Sequence, residues 1–289
     1  MGIAPEDRLA IIVNSVDKSI LEPSKTMDIF YQIKNMGPLN KNYLQYTLSE
    51  DKPIYIIPIS DVHFGAFECN SHKLKAVIDL IQNTPNCYTI LLGDLAETAT
   101  KESVGMAMFG EDEHLPDQIK LLCNALKPLA DQGKILGMLT GNHEMRVAQL
   151  IGINPMELVA DKIGAPYLGF QGYIMVQVGT QKYKIMCHHG VGGGASMAGK
   201  VKSVERLASV AEADIHIAGH THGLHYHYDH IMTFSDDGQI VPRKRHYVVA
   251  GSFLEYWGGY AEMKLLQPSA TGVAVIELLP DRKEVRVTI

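Results

Sequence analysis

Histidine, aspartate and asparagine recur in this sequence just after apolar runs. Asp61-Val62-His63 follows Ile54–Ile59, Gly93-Asp94 follows Tyr88–Leu92, and Gly141-Asn142-His143-Glu144 follows Ile135–Leu139. His188-His189-Gly190 follows Tyr183–Cys187, and Gly219-His220-Thr221-His222 follows Asp214–Ala218. Imidazole and carboxylate without thiolate suit Mn, Fe or Zn better than Ca or Mg, which favour all-oxygen shells. Two Asp, one Asn and several His exceed what one ion uses, so two ions sharing a bridging carboxylate fit better. Ions roughly 3.5–4 Å apart are a recognised device for phosphoryl transfer.

Such residues act together only if the elements before them converge. The five apolar runs read as strands. Leu74, Val77, Ile78 and Ile81 recur at i, i+3, i+4, i+7, which predicts an amphipathic helix over Ser71–Gln82. Ile119, Leu122, Leu126 and Leu129 predict a second, entered through Pro116-Asp117. A third starts at Asn154-Pro155 and stops at Gly164, and Val201–Ala211 is a fourth. Tyr173–Val178 and Tyr183–Cys187 flank Gly179-Thr180 as a hairpin. The stretch Tyr226–Ile289 is strand-rich, with turns at Asp236-Asp237-Gly238 and Pro280-Asp281. Alternation followed by hairpins gives an α/β fold, helices outside and sheet inside. In such folds ligands bind at the carboxyl ends of strands, and glycine lets the backbone close on a compact centre.

Residues 1–50 read differently, as a helical N-terminal segment ahead of a main domain over 51–289. Helix-like spacing covers Asp7–Ile20 and Ser24–Met36, broken at Pro23 and Gly37-Pro38. The 289 residues, 46% hydrophobic and 20% charged, support a sizeable core and exclude disordered, collagen-like and disulfide-scaffold classes. A net charge of −6 lacks the bulk positive field of a nucleic-acid coat protein. Basic clusters are confined to Lys200–Lys202 and Arg243-Lys244-Arg245. The most apolar run, Pro53–Ile59, is far below the ~20 residues of a membrane span. MGIAPEDR is not a signal peptide, and Glu6 removes a myristoylation site. Cys69, Cys87, Cys123 and Cys187 show no CxxC spacing and read as reduced thiols of a cytoplasmic protein.

Asp61-x-His63, Gly93-Asp94, Gly141-Asn142-His143-Glu144, His189-Gly190 and Gly219-His220-Thr221-His222, in that order, resemble the calcineurin-like metallophosphoesterases. The resemblance spans about Pro53–Phe253. GDLAETATKESVG, GNHEMR and CHHGVGGG are most similar to small bacterial and phage-encoded members related to the repair-exonuclease branch. The resemblance implies a four-layer α-β-β-α sandwich with a binuclear centre at its edge. It implies that Asp61, His63, Asp94 and His222 hold the first ion. Asp94 then bridges to a second ion, which also takes Asn142, His189 and His220. The implied cofactors are two divalent ions, Mn2+ foremost, with Fe, Zn and Ni as alternatives. His143 binds no metal and serves as general acid or charge stabiliser beside the scissile phosphate. The implied reaction is in-line attack on phosphorus by a metal-activated water.

The expected function is metal-dependent hydrolysis of phosphoesters, as phosphodiesterase or phosphatase, acting on a nucleotide or nucleic acid. A repair-type DNA nuclease is the alternative, and a non-catalytic scaffold of the same fold a weaker one. Arg146, His188 and Lys200 are candidates for substrate contact, each with a structural alternative. Glu97 and Glu144 are candidates to hold the outer N–H of ligand imidazoles. Gly194-x-x-x-x-Gly199-Lys200 is followed by Val201, so the hydroxyl of a Walker A loop is missing. His143-Glu144-Met145-Arg146-Val147 lacks the second His of a zinc-protease helix. His225, His227 and His230, interleaved with Tyr226 and Tyr228, read as a solvated face. Met106, Met108 and Phe109 beside Glu111-Asp112-Glu113 form an apolar-acidic insert, a specificity cap or a surface loop.

Overall fold

Among the described residues, twelve strands form two six-stranded sheets. The computed structural model describes residues 42–99, 114–192, 196–235, 237–258, 260–263, 265 and 267–289. One sheet has the order β12-β11-β2-β3-β4-β5, the other β1-β6-β7-β8-β10-β9. In the first, β2 (Ile54–Ile59), β3 (Cys87–Leu91), β4 (Ile135–Leu139) and β5 (Tyr167–Gly169) run parallel, and β11 (Val275–Leu278) and β12 (Val285–Thr288) extend it antiparallel. In the second, β7 (Gln181–His188), β8 (Ile215–Ala218) and β10 (Ile240–Ala250) run parallel. β6 (Gln171–Val178) pairs antiparallel with β7 across the Gly179-Thr180 turn, and β9 (Leu224–Phe234) closes the far edge against β10.

Three apolar clusters separate four layers. Ile54, Ile56, Ile90, Leu136, Val176, Ile185, Ile217 and Ile276 lie between the two sheets. Ile57, Ile59, Leu91 and Met138, on the opposite strand faces, pack against Leu74, Ile78, Leu122, Leu126, Met156 and Val159 of the helices. Met186, Tyr247 and Val249 pack outward against Val204 and Leu207. Strands buried on both faces explain the unbroken apolar runs of the sequence. The sandwich is therefore the four-layer α/β architecture that the resemblance implies.

The helices obey local rules. α1 (Ser71–Asn83) is capped by Asn70, whose side chain accepts from the Lys73 N–H at 2.8 Å, and it buries Leu74, Val77, Ile78 and Ile81. α2 (Leu115–Asp131) opens on Pro116. α3 (Asn142–Ile151) follows β4 directly. α4 (Pro155–Ile163) is capped by Asn154 and ends on Gly164 in left-handed conformation. α5 is Met197–Glu205, continued by a 3-10 turn over Arg206–Ser209, so helix begins four residues earlier than the apolar spacing shows. Ser196 sets this start by accepting from the Gly199 N–H.

The end of the N-terminal segment departs from its helical reading. Tyr43–Ser49 is strand β1, parallel to β6. Its alternating exposure is that of an edge strand with one face on the sheet interior, where Leu44, Tyr46 and Leu48 meet the inter-sheet core. The predicted helices over 7–36 lie outside the described residues, as does the 106–113 insert. Among the described residues no helix is long and apolar enough to cross a membrane.

Candidate metal centre

The carboxyl ends of β2, β3, β4, β7 and β8 deliver every predicted ligand to one edge of the sandwich. Asp61, His63 and His222 offer ligand atoms within 4.8 Å of one another, and so do Asp94, His189 and His220. Asp61, His63, Asp94, His220 and His222 all have φ between 49° and 66°, a region that costs L-residues about 1 kcal/mol or more each. The turned backbone aims side chains two residues apart into one cluster. Strain concentrated at these five positions is what a preorganised site requires. Neighbouring glycines permit the close packing: a Cβ on Gly141 would strike Asp94 Oδ1, and one on Gly219 would strike Ser60 Oγ.

Each aspartate commits one oxygen to the protein and leaves the other for the cluster. Asp61 Oδ2 accepts from Ser60 Oγ at 2.5 Å and from the His220 N–H at 2.8 Å. Asp94 Oδ1 accepts from the His143 N–H at 2.8 Å. Asp94 Oδ2 lies 3.2 Å from His189 Nε2 and 4.0 Å from His63 Nε2, between the two ligand groups. Asp61 Oδ1 is buried with no hydrogen-bond partner, 3.4 Å from His222 Nε2 and 4.0 Å from His63 Nε2. An orphaned buried carboxylate oxygen is costly unless a cation satisfies it.

The imidazoles are oriented in the same way. His63 Nδ1 donates to Glu97 Oε2 at 2.7 Å and His189 Nδ1 to the Leu92 carbonyl at 2.9 Å, so both Nε2 atoms face inward. His63 Nε2 and His222 Nε2 stand 3.2 Å apart, the spacing of two nitrogens around one ion with bonds of roughly 2.0–2.1 Å. Asn142 Oδ1 lies 3.0 Å from His189 Nε2, which adds a neutral oxygen to the second group. The donor set of nitrogen and oxygen, with one unsatisfied carboxylate oxygen, fits two divalent transition ions.

Electrostatics point the same way. Burial opposes charge on His63, but the Glu97 hydrogen bond and three carboxylates overcome it and lift the imidazole to about 9. His189 is likewise raised to about 9, against burial, by Asp94. Burial also opposes charge on Asp94, yet His189, His143 and His63 hold its carboxyl well below the usual range. The pocket is arranged for positive charge facing carboxylates, a role that bound cations would take over from the protons.

His143 sits at the rim, its ring edge-on to His63 with centroids 4.4 Å apart. Nδ1 donates to the Glu97 carbonyl at 2.8 Å, so Nε2 carries the lone pair, 3.9 Å from Asp94 Oδ2. Arg146 Nη2 lies 3.1 Å from that Nε2, placing a permanent cation beside the ring. Burial and the neighbouring His63 push His143 down to about 4. Glu97 thus serves His63 through its side chain and His143 through its backbone.

Residues 54–224 match the family model of the calcineurin-like phosphoesterases. That match covers more than half of the chain and contains every candidate ligand named above. The chain belongs to this family. The curated proteins hold no match to its sequence.

Within this calcineurin-like phosphoesterase the sequence-based assignments divide. The cluster unites Asp61, His63, Asp94, Asn142, His189, His220 and His222, with His143 and Arg146 at its rim. His188 stands apart: its Nδ1 accepts from the Gly190 N–H at 2.8 Å and shapes the loop that places His189. Lys200 lies against Gly223, outside both ligand groups. Glu144 does not hold an imidazole. Buried completely, it accepts from the backbone N–H groups of Asp94, Leu95, Ala96 and Gly141 at 2.8–3.2 Å, pinning the β3 loop to the start of α3. Sequence reading missed Ser60, whose hydroxyl fixes Asp61. The small residue before the aspartate was the available signal, and it carries little information by itself.

The two arginines of the β10 basic cluster are paired with carboxylates, and its lysine lies over a ring. Arg243 contacts Glu212 and Asp214, Arg245 pairs with Asp229, and Lys244 lies over the Tyr228 ring at 3.7 Å. His227 reaches Glu205 at 3.1 Å and stacks on Tyr247, so this face is a side-chain lattice on the sheet edge.

Proposed function

We propose that the protein hydrolyses phosphodiesters of nucleotide size by a binuclear mechanism, with Mn2+ as its metal. The observation that carries this reading is Asp94 Oδ2, which lies between His63 and His189, where one carboxylate would serve both ions. When bound, two such ions supply Lewis acidity at the phosphoryl oxygens and a water acidic enough to act near neutral pH. Asp61, His63 and His222 would hold one ion, Asn142, His189 and His220 the other, with Asp94 shared. His143 and Arg146 divide the remaining work. Arg146 brings a permanent charge to the non-bridging oxygens, and His143, whose Nε2 is unprotonated in the free site, would take up a proton as the anionic phosphate binds beside it and pass it to the leaving oxygen. Glu97 fixes the ring for that transfer.

Two observations favour a small substrate over a DNA strand. The β10 arginines are occupied by carboxylates, which removes the most obvious basic stripe. The net charge of −6 provides no compensating field. The free cysteines suit a reducing compartment such as the cytoplasm. A scaffold role is disfavoured because every ligand position is filled. The test is hydrolysis of bis-p-nitrophenyl phosphate and p-nitrophenyl phosphate by Mn-loaded protein. Turnover that is abolished by chelator and by Asp94→Asn supports the reading. Metal-loaded protein inert towards both esters overturns it.

A further inference from the structure

Two buried lysines are treated very differently. Lys134 Nζ donates to the carbonyls of Ile81, Gln82 and Thr84 at 2.5–2.9 Å, so its charge is met by three acceptors. The Lys200 side chain is as deeply buried, 8% exposed, yet among the described residues no hydrogen bond or ion pair holds its ammonium, which is not sealed from solvent. Holding a cation on a largely buried stem with no acceptor costs free energy, which an anion bound there would recover. Its stem runs along Gly223: a Cβ there would meet Lys200 Cδ at 2.9 Å and Thr221 Oγ1 at 3.7 Å. Thr221 Oγ1 is itself buried without a hydrogen-bond partner. The stem of an unpaired lysine and an unpaired hydroxyl therefore flank one glycine.

The place of this pair gives it meaning. Thr221 lies between His220 and His222, and Gly223 follows directly. His222 has 37% side-chain exposure against 5% or less for His63 and His189, so the cluster opens to solvent on this side. Gly223 admits the lysine stem because it has no side chain. The Gly223 carbonyl is fixed by the Gly251 N–H at 2.8 Å, which holds the loop rigid under the stem. Burial lowers the Lys200 ammonium from its ordinary value, and a bound anion would restore it.

We propose that Lys200 and Thr221 form an anion subsite beside His222 that takes a second phosphate of the substrate, one not being cleaved. This rests on the phosphoesterase reading and refines it: preferred substrates are phosphodiesters that carry a further phosphate near the scissile one. Lys200 supplies the charge and Thr221 a hydroxyl donor. The extra phosphate is either terminal, as in a nucleoside bisphosphate, or the next diester of a strand.

Three probes with one leaving group separate these cases: thymidine 5′-(p-nitrophenyl phosphate), the same compound with a 3′-phosphate, and that 3′-phosphate as its methyl ester. The expected result is a kcat/KM about tenfold higher for the 3′-phosphorylated probe than for the first. Lys200→Met brings that ratio close to one, and Thr221→Val lowers it partway. Preference for the free 3′-phosphate over its methyl ester marks a terminal phosphate, and equal preference marks a strand. A parallel calorimetric titration uses chelator-treated protein with thymidine 3′,5′-bisphosphate and thymidine 5′-monophosphate. The bisphosphate should bind about tenfold tighter to wild type and lose that margin in Lys200→Met. This arm decides the subsite even if no ester is hydrolysed, which would count against the phosphoesterase reading alone. No discrimination by wild type, or equal losses on all probes in Lys200→Met, overturns the subsite and leaves Lys200 a structural residue.

Discussion

Glu97 holds His63 through a 2.7 Å hydrogen bond from Nδ1, and that bond determines which nitrogen of His63 faces the cluster. The remaining nitrogen, Nε2, then meets His222 and the two aspartates. Removing the carboxylate leaves the ligand in place but its orientation unfixed. Glu97→Gln should weaken metal binding by about 10- to 100-fold, with little change in fold. Competition against a chromophoric chelator measures this. Unchanged affinity would mean that the contact is incidental.

His143 forms a potential metal group of its own with His63 and Glu97, but it is in neither the Asp61–His63–His222 nor the Asp94–His189–His220 group. His143→Ala should therefore retain the full metal content and lose about 10²- to 10⁴-fold in kcat. Elemental analysis beside steady-state kinetics separates the two effects. Loss of metal in parallel with activity would place His143 among the ligands instead.

Glu144 is a buried carboxylate that accepts four backbone N–H groups. Glu144→Gln replaces one acceptor oxygen by a donor that faces those N–H groups. Destabilisation of about 2 to 4 kcal/mol is expected in urea unfolding, since buried donors lose their partner. A change below 0.5 kcal/mol would show that the loop does not depend on this carboxylate.

The sequence exposed the site more fully than its surroundings. Apolar runs ending in Asp, Asn or His marked five strand ends, and all seven predicted ligands fall in one cluster because parallel strands bring their carboxyl ends to one edge. Glu144 shows where such reading stops: its partners are backbone amides of residues 94–96, and no side-chain pattern encodes them. His188 and His189 are alike as residues and differ only in the loop that turns one inward. β1 was hidden because an edge strand with one buried face carries a weak apolar signal, and the proline-broken stretch before it drew attention to helix.

His246 offers a pH test remote from the metals. It is 3% exposed, lies 3.0 Å from the Tyr226 hydroxyl through Nδ1, and has Lys244, Asp214 and His230 as its charged or titratable neighbours. Burial, then Lys244, pushes it down to about 4 from an ordinary 6.5. The unfolded chain therefore binds the proton first, and stability falls as pH drops from about 6.5 towards 4. His246→Phe should remove part of this slope, by up to about 3 kcal/mol across the window. Identical acid profiles for the two proteins would contradict the assignment.

The binuclear centre itself is most directly tested by anomalous diffraction from crystals soaked in Mn2+. Two peaks about 3.5–4 Å apart, one on each side of Asp94 Oδ2, are expected. A single peak, or peaks away from Asp61, Asp94, His189 and His222, would contradict the account.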